Sequence, residues 1–284
     1  MTPVKKGGPR FTQENGYLVN VDLIESSAQL VEYVDHVWEN IWAPRDRCLE
    51  QESPWFRGVS RHTYKLIPSI YRENIWKYNP VDAEDICGEF SRRSAPFLEQ
   101  GRFYSPGEFY HIMQHYGLPT RLLDWTEGLL FALFFAIREV AFFRSEFTPS
   151  IWMLNPWWLN KKSAKTRDLF YSHFIRDDID NERIISPYLS DANPPPDPVA
   201  VLPPHIDRRI IAQKSVFTIH GSRQNGIGDL CLRCSNAQLA QLRLNGKNIE
   251  TFLDQLVTAG ITETSVFPDL EGLSREIKMQ YDMR

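Results

Sequence analysis

The stretch Gln114-His115-Tyr116-Gly117-Leu118-Pro119-Thr120-Arg121-Leu122-Leu123-Asp124-Trp125-Thr126, with the apolar run behind it, constrains the fold more than any other part of the chain. Polar side chains that a core would exclude are joined directly to the most hydrophobic segment of the sequence. A loop carrying chemical groups is therefore expected on a buried base. Ser105-Pro106-Gly107-Glu108 supplies an N-cap serine, a proline at the first helical position and a glutamate three after the serine, so the spacing predicts a helix starting there. Phe109, Ile112, Met113 and Tyr116 fall on one face, and Gly117 suits the left-handed residue that ends the helix, which puts His115 and Tyr116 in its last turn. Leu118 precedes a proline and is pushed to extended geometry, leading into a short strand over Thr120–Leu123. Asp124, with Glu127 three later, reads as the next helix cap. From Trp125 to about Phe143 the pattern is apolar nearly all round, which describes a central buried helix, and Glu127, Arg138 and Glu139 interrupt it well short of a bilayer span.

The remaining composition bounds the function classes. Of 284 residues 42% are hydrophobic and 13% aromatic, enough for a sizeable core, and the net charge of −4 offers no global attraction to nucleic acid or to an anionic membrane. The cysteines Cys48, Cys87, Cys231 and Cys234 are too few and too scattered for a secreted disulfide framework. Cys231-Leu232-Arg233-Cys234 has the spacing of half a zinc site, but no second pair completes it, so no metal is expected. The first residues lack the apolar segment of a signal peptide, and the cytoplasm is the expected compartment.

Taken in order, residues 1–16 read as a flexible lead-in and Tyr17–Val21 as a short strand. Leu30, Val34, Val37, Trp38 and Ile41 keep helical spacing over about Ser27–Trp42. Trp55-Phe56-Arg57-Gly58 reads as a strand that ends on an arginine beside a glycine, either an anion clamp or a surface arginine at a turn. Leu66–Arg72 reads as an extended element, Asp82 with Asp85 as a helix start, and Ser150–Leu154 as a buried strand. Residues 156–207 show little periodicity and are expected to form an irregular insertion or covering loop. Gln213–Gly221 reads as a late strand. Ser235-Asn236-Ala237-Gln238 resembles a capping box opening a helix with Leu239 and Leu242; a further helix runs from about Asn248 to Gly260. Ser265–Leu270 reads as a last strand before a charged C-terminal helix.

With these residues in hand the chain resembles the FRG domain family, named for the motif present at Phe56-Arg57-Gly58. The resemblance continues through Leu66-Ile67-Pro68-Ser69-Ile70-Tyr71-Arg72, Gln114–Thr126, Gln213–His220, Gly260-Ile261 and Phe267-Pro268-Asp269-Leu270, over about residues 25–280. Two departures stand out: Glu127-Gly128 where the family has an Asn-Pro or similar pair, and Ser215 where it has glycine. The family occurs in bacteria and phages, often in phage–host conflict, and its motif layout looks like that of ADP-ribosyltransferases. The resemblance implies an α+β single domain over residues 17–284, with a central buried helix packed on a small, mostly antiparallel split sheet, ADP-ribosyltransferase-like.

It also implies a chemistry: cleavage of NAD at the nicotinamide–ribose bond, with ADP-ribose passed to a protein or nucleic-acid acceptor or to water. Such a reaction needs its pyrophosphate held, its nicotinamide clamped by an aromatic and its ribosyl cation stabilised. Arg57, His115 and Gln213 are the expected catalytic residues; Arg57, Tyr116, Thr120, Arg121 and Tyr71 are expected to hold NAD or another nucleotide. A transferase of this type uses glutamate where Gln213 stands, with Asp269 and Glu271 as fallback carboxylates. Each residue also has a plainer role: His115 as a dipole contact, Tyr116 as core, Asp124 as a cap, and Arg121 as its ion-pair partner. The alternative function is a non-catalytic module that binds a nucleotide or a protein, with Arg57, Arg61, Arg72 and Arg121 lining an anion pocket beside Trp55, Tyr64 and Tyr71.

Overall fold

The computed structural model of the chain describes residues 8–42, 52–72, 83–99, 101–143, 147–172, 179–189 and 194–281. In chain order the elements are β1 (Phe11–Glu14), β2 (Tyr17–Asn20), α1 (Ser27–Asp35), β3 (Trp55–Val59), α2 (Ala83–Ser94), α3 (Pro106–His115), β4 (Leu122–Thr126) and α4 (Leu129–Phe143). The second half holds β5 (Ser150–Leu154), α5 (Pro156–Ser163), β6 (Phe170–Tyr171), α6 (Ile179–Leu189), β7 (Val199–Leu202), α7 (Arg208–Ala212) and β8 (Ser215–Ile219). The chain closes with α8 (Gly226–Arg233), β9 (Leu239–Arg243), α9 (Ile249–Thr258), α10 (Glu263–Val266) and α11 (Leu270–Gln280). The fold is mixed α/β. The chain divides into two compact units, Met1–Tyr64 with Glu127–Asn155 and Cys231–Arg284, and Lys65–Thr126 with Pro156–Leu230.

In the first unit the strands run in the order β1-β2-β9-β5-β3. Every pairing is antiparallel except β2 with β9. Phe11–Glu14 corrects the expected lead-in, because Asn15 (φ 49°) and Gly16 (φ 85°) close a tight hairpin that pairs β1 to β2. Helix α4 lies against β3. A Cβ on Gly58 would stand 1.9 Å from the Ala132 carbonyl oxygen, so only glycine lets the helix backbone come this close. Ala132, Leu133, Ala136 and Ile137 of α4 are fully buried, as a central helix requires. That helix starts at Leu129 rather than Trp125, because Leu122–Thr126 is drawn into β-pairing with β8.

Three further expectations are corrected here. Leu239–Arg243 is a strand, not a helix: β9 has partners on both sides, and Leu239, Ala240, Gln241 and Leu242 are all buried. A strand buried on both faces has no alternation to separate it from a helix. The capping residue proposed for it, Gln238, instead takes the Asn155 amide through its carbonyl at 3.0 Å and the Asn155 side chain at 2.6 Å. Part of Ser265–Leu270, the expected last strand, falls in α10, capped by Thr262, which accepts from the Ser265 amide.

In the second unit the strand order is β4-β8-β7-β6, with β4–β8 and β8–β7 antiparallel and β7–β6 parallel. Its core joins Tyr110 of α3, Leu122, Phe217, Ile219, Val199 and Val201 of the strands, and Ile185 and Tyr188 of α6. Among the described residues, the segment 156–207, expected to be irregular, supplies α5, β6, α6 and β7 to this unit. Asn160, fully buried, stitches α5 to β7 by donating to the Ala200 carbonyl at 3.1 Å and accepting the Ala200 amide at 2.7 Å. The small sheet expected from the sequence is thus exceeded, with nine strands among the described residues. Ser69–Tyr71 forms a 3-10 turn within the expected extended element. Asp82 and Cys48 lie outside the described residues, and no helix among those described is long and apolar enough to cross a membrane.

Candidate functional site

The site is built on the C-terminal end of α3. Ser105 caps the other end in a capping box: its hydroxyl accepts from the Glu108 amide at 3.3 Å, and the Glu108 carboxylate accepts from the Ser105 amide at 2.8 Å. Burial would raise the Glu108 carboxyl, but the Ser105 amide and hydroxyl and the Arg102 guanidinium at 3.0 Å outweigh it and hold it below the usual range. Gly117 (φ 79°) ends the helix as its sequence predicts, and the Leu118 amide bonds to the Met113 carbonyl at 2.9 Å.

Beyond Gly117 the polar residues of the motif bond to one another. Thr120, 1% exposed, donates its hydroxyl to Gln114 Oε1 at 2.6 Å and accepts the Leu122 amide at 3.1 Å. Gln114 Nε2 donates to Asp124 Oδ2 at 2.9 Å, and the Ser69 hydroxyl accepts the Thr120 amide at 3.2 Å. Asp124 is therefore an exposed residue in the middle of β4, not a helix cap. Arg121 is buried and donates Nη1 to the Tyr188 carbonyl at 3.0 Å. Tyr71 donates to the Gly221 carbonyl at 2.5 Å; burial raises its hydroxyl, an effect Arg121 opposes. Gly221 has no room for a side chain, since a Cβ would fall 1.6 Å from the Pro195 carbonyl oxygen. These residues make a rigid base. A fully internal network fixes geometry because every buried donor it contains is costly to leave unmade.

On that base stand His115 and Tyr116. Tyr116 is 73% exposed, not core, and its ring meets the His115 ring edge-on with centroids 4.9 Å apart. His115 Nε2 lies 3.3 Å from Asp207 Oδ2, and Asp207 also caps α7 by accepting the Arg209 amide. Asp207 was not singled out from the sequence. The signal available was an aspartate directly ahead of Arg208-Arg209-Ile210-Ile211, which marks a helix cap but gives no hint of His115.

The other expected residues lie on other elements. Gln213 is not on the late strand but ends α7, with its carbonyl accepting the Thr126 hydroxyl at 2.6 Å. Tyr71, His115, Tyr116, Thr120, Arg121 and Gln213 all belong to the second unit, whereas Arg57 is on β3 of the first, in register with Trp152 of β5. The fallback carboxylates are also in the first unit: Asp269 caps α11, and Glu271 pairs with Arg275 at 2.7 Å. Late on β8 and just beyond it, Thr218 accepts the Trp125 indole N–H at 3.1 Å, and its hydroxyl lies 3.2 Å from Nε2 of buried His220. Burial, with Cys234 adding to it, pushes the Cys231 thiol up to about 12, so it stays protonated near neutrality. No group of three metal-binding side chains occurs among the described residues.

Residues 52–144 match the FRG domain. That span runs from the approach to β3 through α4 and includes both Phe56-Arg57-Gly58 and the whole Gln114–Thr126 stretch. Neither the curated proteins nor the solved structures contain a match to the chain.

Proposed function

From the FRG domain that residues 52–144 carry and the side chains at the end of α3, we propose that this chain is an ADP-ribosyltransferase-like enzyme that cleaves NAD at the nicotinamide–ribose bond. One observation carries the reading: an exposed tyrosine ring and an imidazole stand edge to face on a helix end whose polar neighbours are locked by internal bonds. An exposed aromatic face is what a flat heterocycle stacks on, and a fixed imidazole beside it can take a proton from the acceptor of the ADP-ribosyl group. In this reading Tyr116 stacks on nicotinamide and His115 is the base. Thr120, Arg121 and Tyr71 hold the loop from beneath. Gln213, through its carbonyl, ties α7 to the end of β4.

The test is nicotinamide release from NAD by the purified chain, beside Tyr116→Ala. Stacking of one base on an aromatic is worth about 1–3 kcal/mol, so the variant is expected to raise KM for NAD by about tenfold or more while keeping its melting temperature. A parent protein that neither releases nicotinamide nor melts higher in the presence of NAD would end the NAD reading.

A second reading has its own support. No carboxylate stands on β8, and the polar groups of Thr120 and Arg121 are already bonded, to Gln114 and to the Tyr188 carbonyl of α6. These features favour a non-catalytic FRG module that binds a nucleotide or a protein in phage–host conflict. For a nucleotide ligand it predicts that NAD raises the melting temperature with no nicotinamide released.

A further inference from the structure

We propose that Asp207 is a positioning residue that sets the tautomer of His115 and so makes its imidazole the base for the ADP-ribose acceptor, an inference that rests on the NAD-cleavage reading. The two carboxylate oxygens of Asp207 face different partners. Oδ1 accepts the Arg209 amide at 2.5 Å, which caps α7, and Oδ2 stands 3.3 Å from Nε2 of His115. An ionised carboxylate can only accept, so the ring nitrogen that faces it carries the hydrogen. In the neutral ring the lone pair is then on Nδ1. The two side chains are 21% and 30% exposed, which limits the competition of water for the contact.

The proposed step balances without an oxidant or reductant. The bond between nicotinamide N1 and ribose C1′ breaks and its electron pair leaves with nicotinamide. The oxygen of water or of an acceptor hydroxyl forms the new bond to C1′, and its hydrogen passes as a proton to His115 Nδ1 and then to solvent. Asp207 does not itself take the proton. It keeps the ring in the tautomer that presents Nδ1.

Asp207→Asn tests this with the fold intact, because asparagine caps a helix as well as aspartate. Its one carbonyl oxygen stays with the Arg209 amide, so the NH2 group turns toward His115 and the hydrogen of the neutral ring is driven to Nδ1. The expected result is a fall in kcat for nicotinamide release of at least about a hundredfold, with KM for NAD within about twofold. His115→Ala should lose as much, and the double variant no more than either single one, since the two residues act as a unit. Nitrogen-15 spectra of the labelled ring should show His115 as Nε2–H in the parent and as Nδ1–H in Asp207→Asn. A variant with the parent's kcat, or with the parent's ring spectrum, overturns the proposal. If the parent releases no nicotinamide, the NAD reading fails alone: an inverted tautomer in the variant still upholds the positioning of His115 by Asp207, and an unchanged one refutes it.

Discussion

At the scale of single residues, glycines separate two kinds of constraint. Gly58 has ordinary backbone geometry, but a Cβ there would lie 1.9 Å from the Ala132 carbonyl oxygen and 2.6 Å from the Ala136 amide nitrogen. Both are helix backbone atoms, which cannot swing aside as a side-chain tip can. Gly117 is the converse, with φ 79° and nothing within 4 Å of an added Cβ. Urea unfolding should therefore find Gly58→Ala destabilised by about 3 kcal/mol or more through overpacking, and Gly117→Ala by only about 1–2 kcal/mol through left-handed strain. Equal losses would mean that α4 does not approach β3 as closely as described. The glycine of the Phe-Arg-Gly motif thus has a packing role independent of any ligand, while the Arg57 beside it keeps its half-buried place on β3.

At the scale of elements, α3 shows how far local signals carry. Its start and its stop follow from residues within a few positions of one another, and the structure agrees with both, whereas of the expected face only Ile112 and Met113 are buried, joined by Tyr110 and His111 in place of Tyr116. Removing the cap hydroxyl in Ser105→Ala should cost about 1 kcal/mol. The Glu108 half of the box adds a pH dependence. Because its folded carboxyl titrates below its unfolded one, its contribution is complete above the unfolded value and is lost as pH falls through the folded value. The gap in melting temperature between the parent and Glu108→Gln should accordingly be widest near neutrality and close below about pH 4. A gap that stays constant into acid would show that the carboxylate charge does not stabilise the cap. By contrast β9 was unreadable locally. Its burial comes from β2 and β5 on either side, and Leu239-Ala240-Gln241-Leu242-Arg243 carries no alternation that would separate a strand from a helix. The hairpin of β1 and β2 was missed, because Asn15-Gly16, its turn signal, sits at the end of a segment polar enough to pass for a lead-in.

At the scale of the whole molecule, the FRG match ends where the fold does not. Within residues 52–144 lie β3 and β4, yet β3 pairs with β5 and β4 with β8, and both partners come later in the chain. An excised fragment of residues 52–144 is therefore expected to lack a stable fold, with little chemical-shift dispersion in its amide spectrum; a dispersed, cooperative fragment would contradict the pairings. The same return of the chain makes two compact units from interleaved segments, and no linker in the sequence marks them. What the sequence determined by itself was whatever closes over a few residues: the caps and stop of α3, the apolar core of α4, strands β3 and β5, the end of α9 at Gly260, and the resemblance carried by Gln114–Thr126. What only the tertiary structure decided was partnership across distance: that β9 is a strand, that residues 156–207 build a sheet rather than cover one, and that Asp207 meets His115. Local hydrogen bonds and side-chain periodicity are set by neighbours in the chain, whereas these contacts depend on where the chain comes back, and no window of sequence contains that.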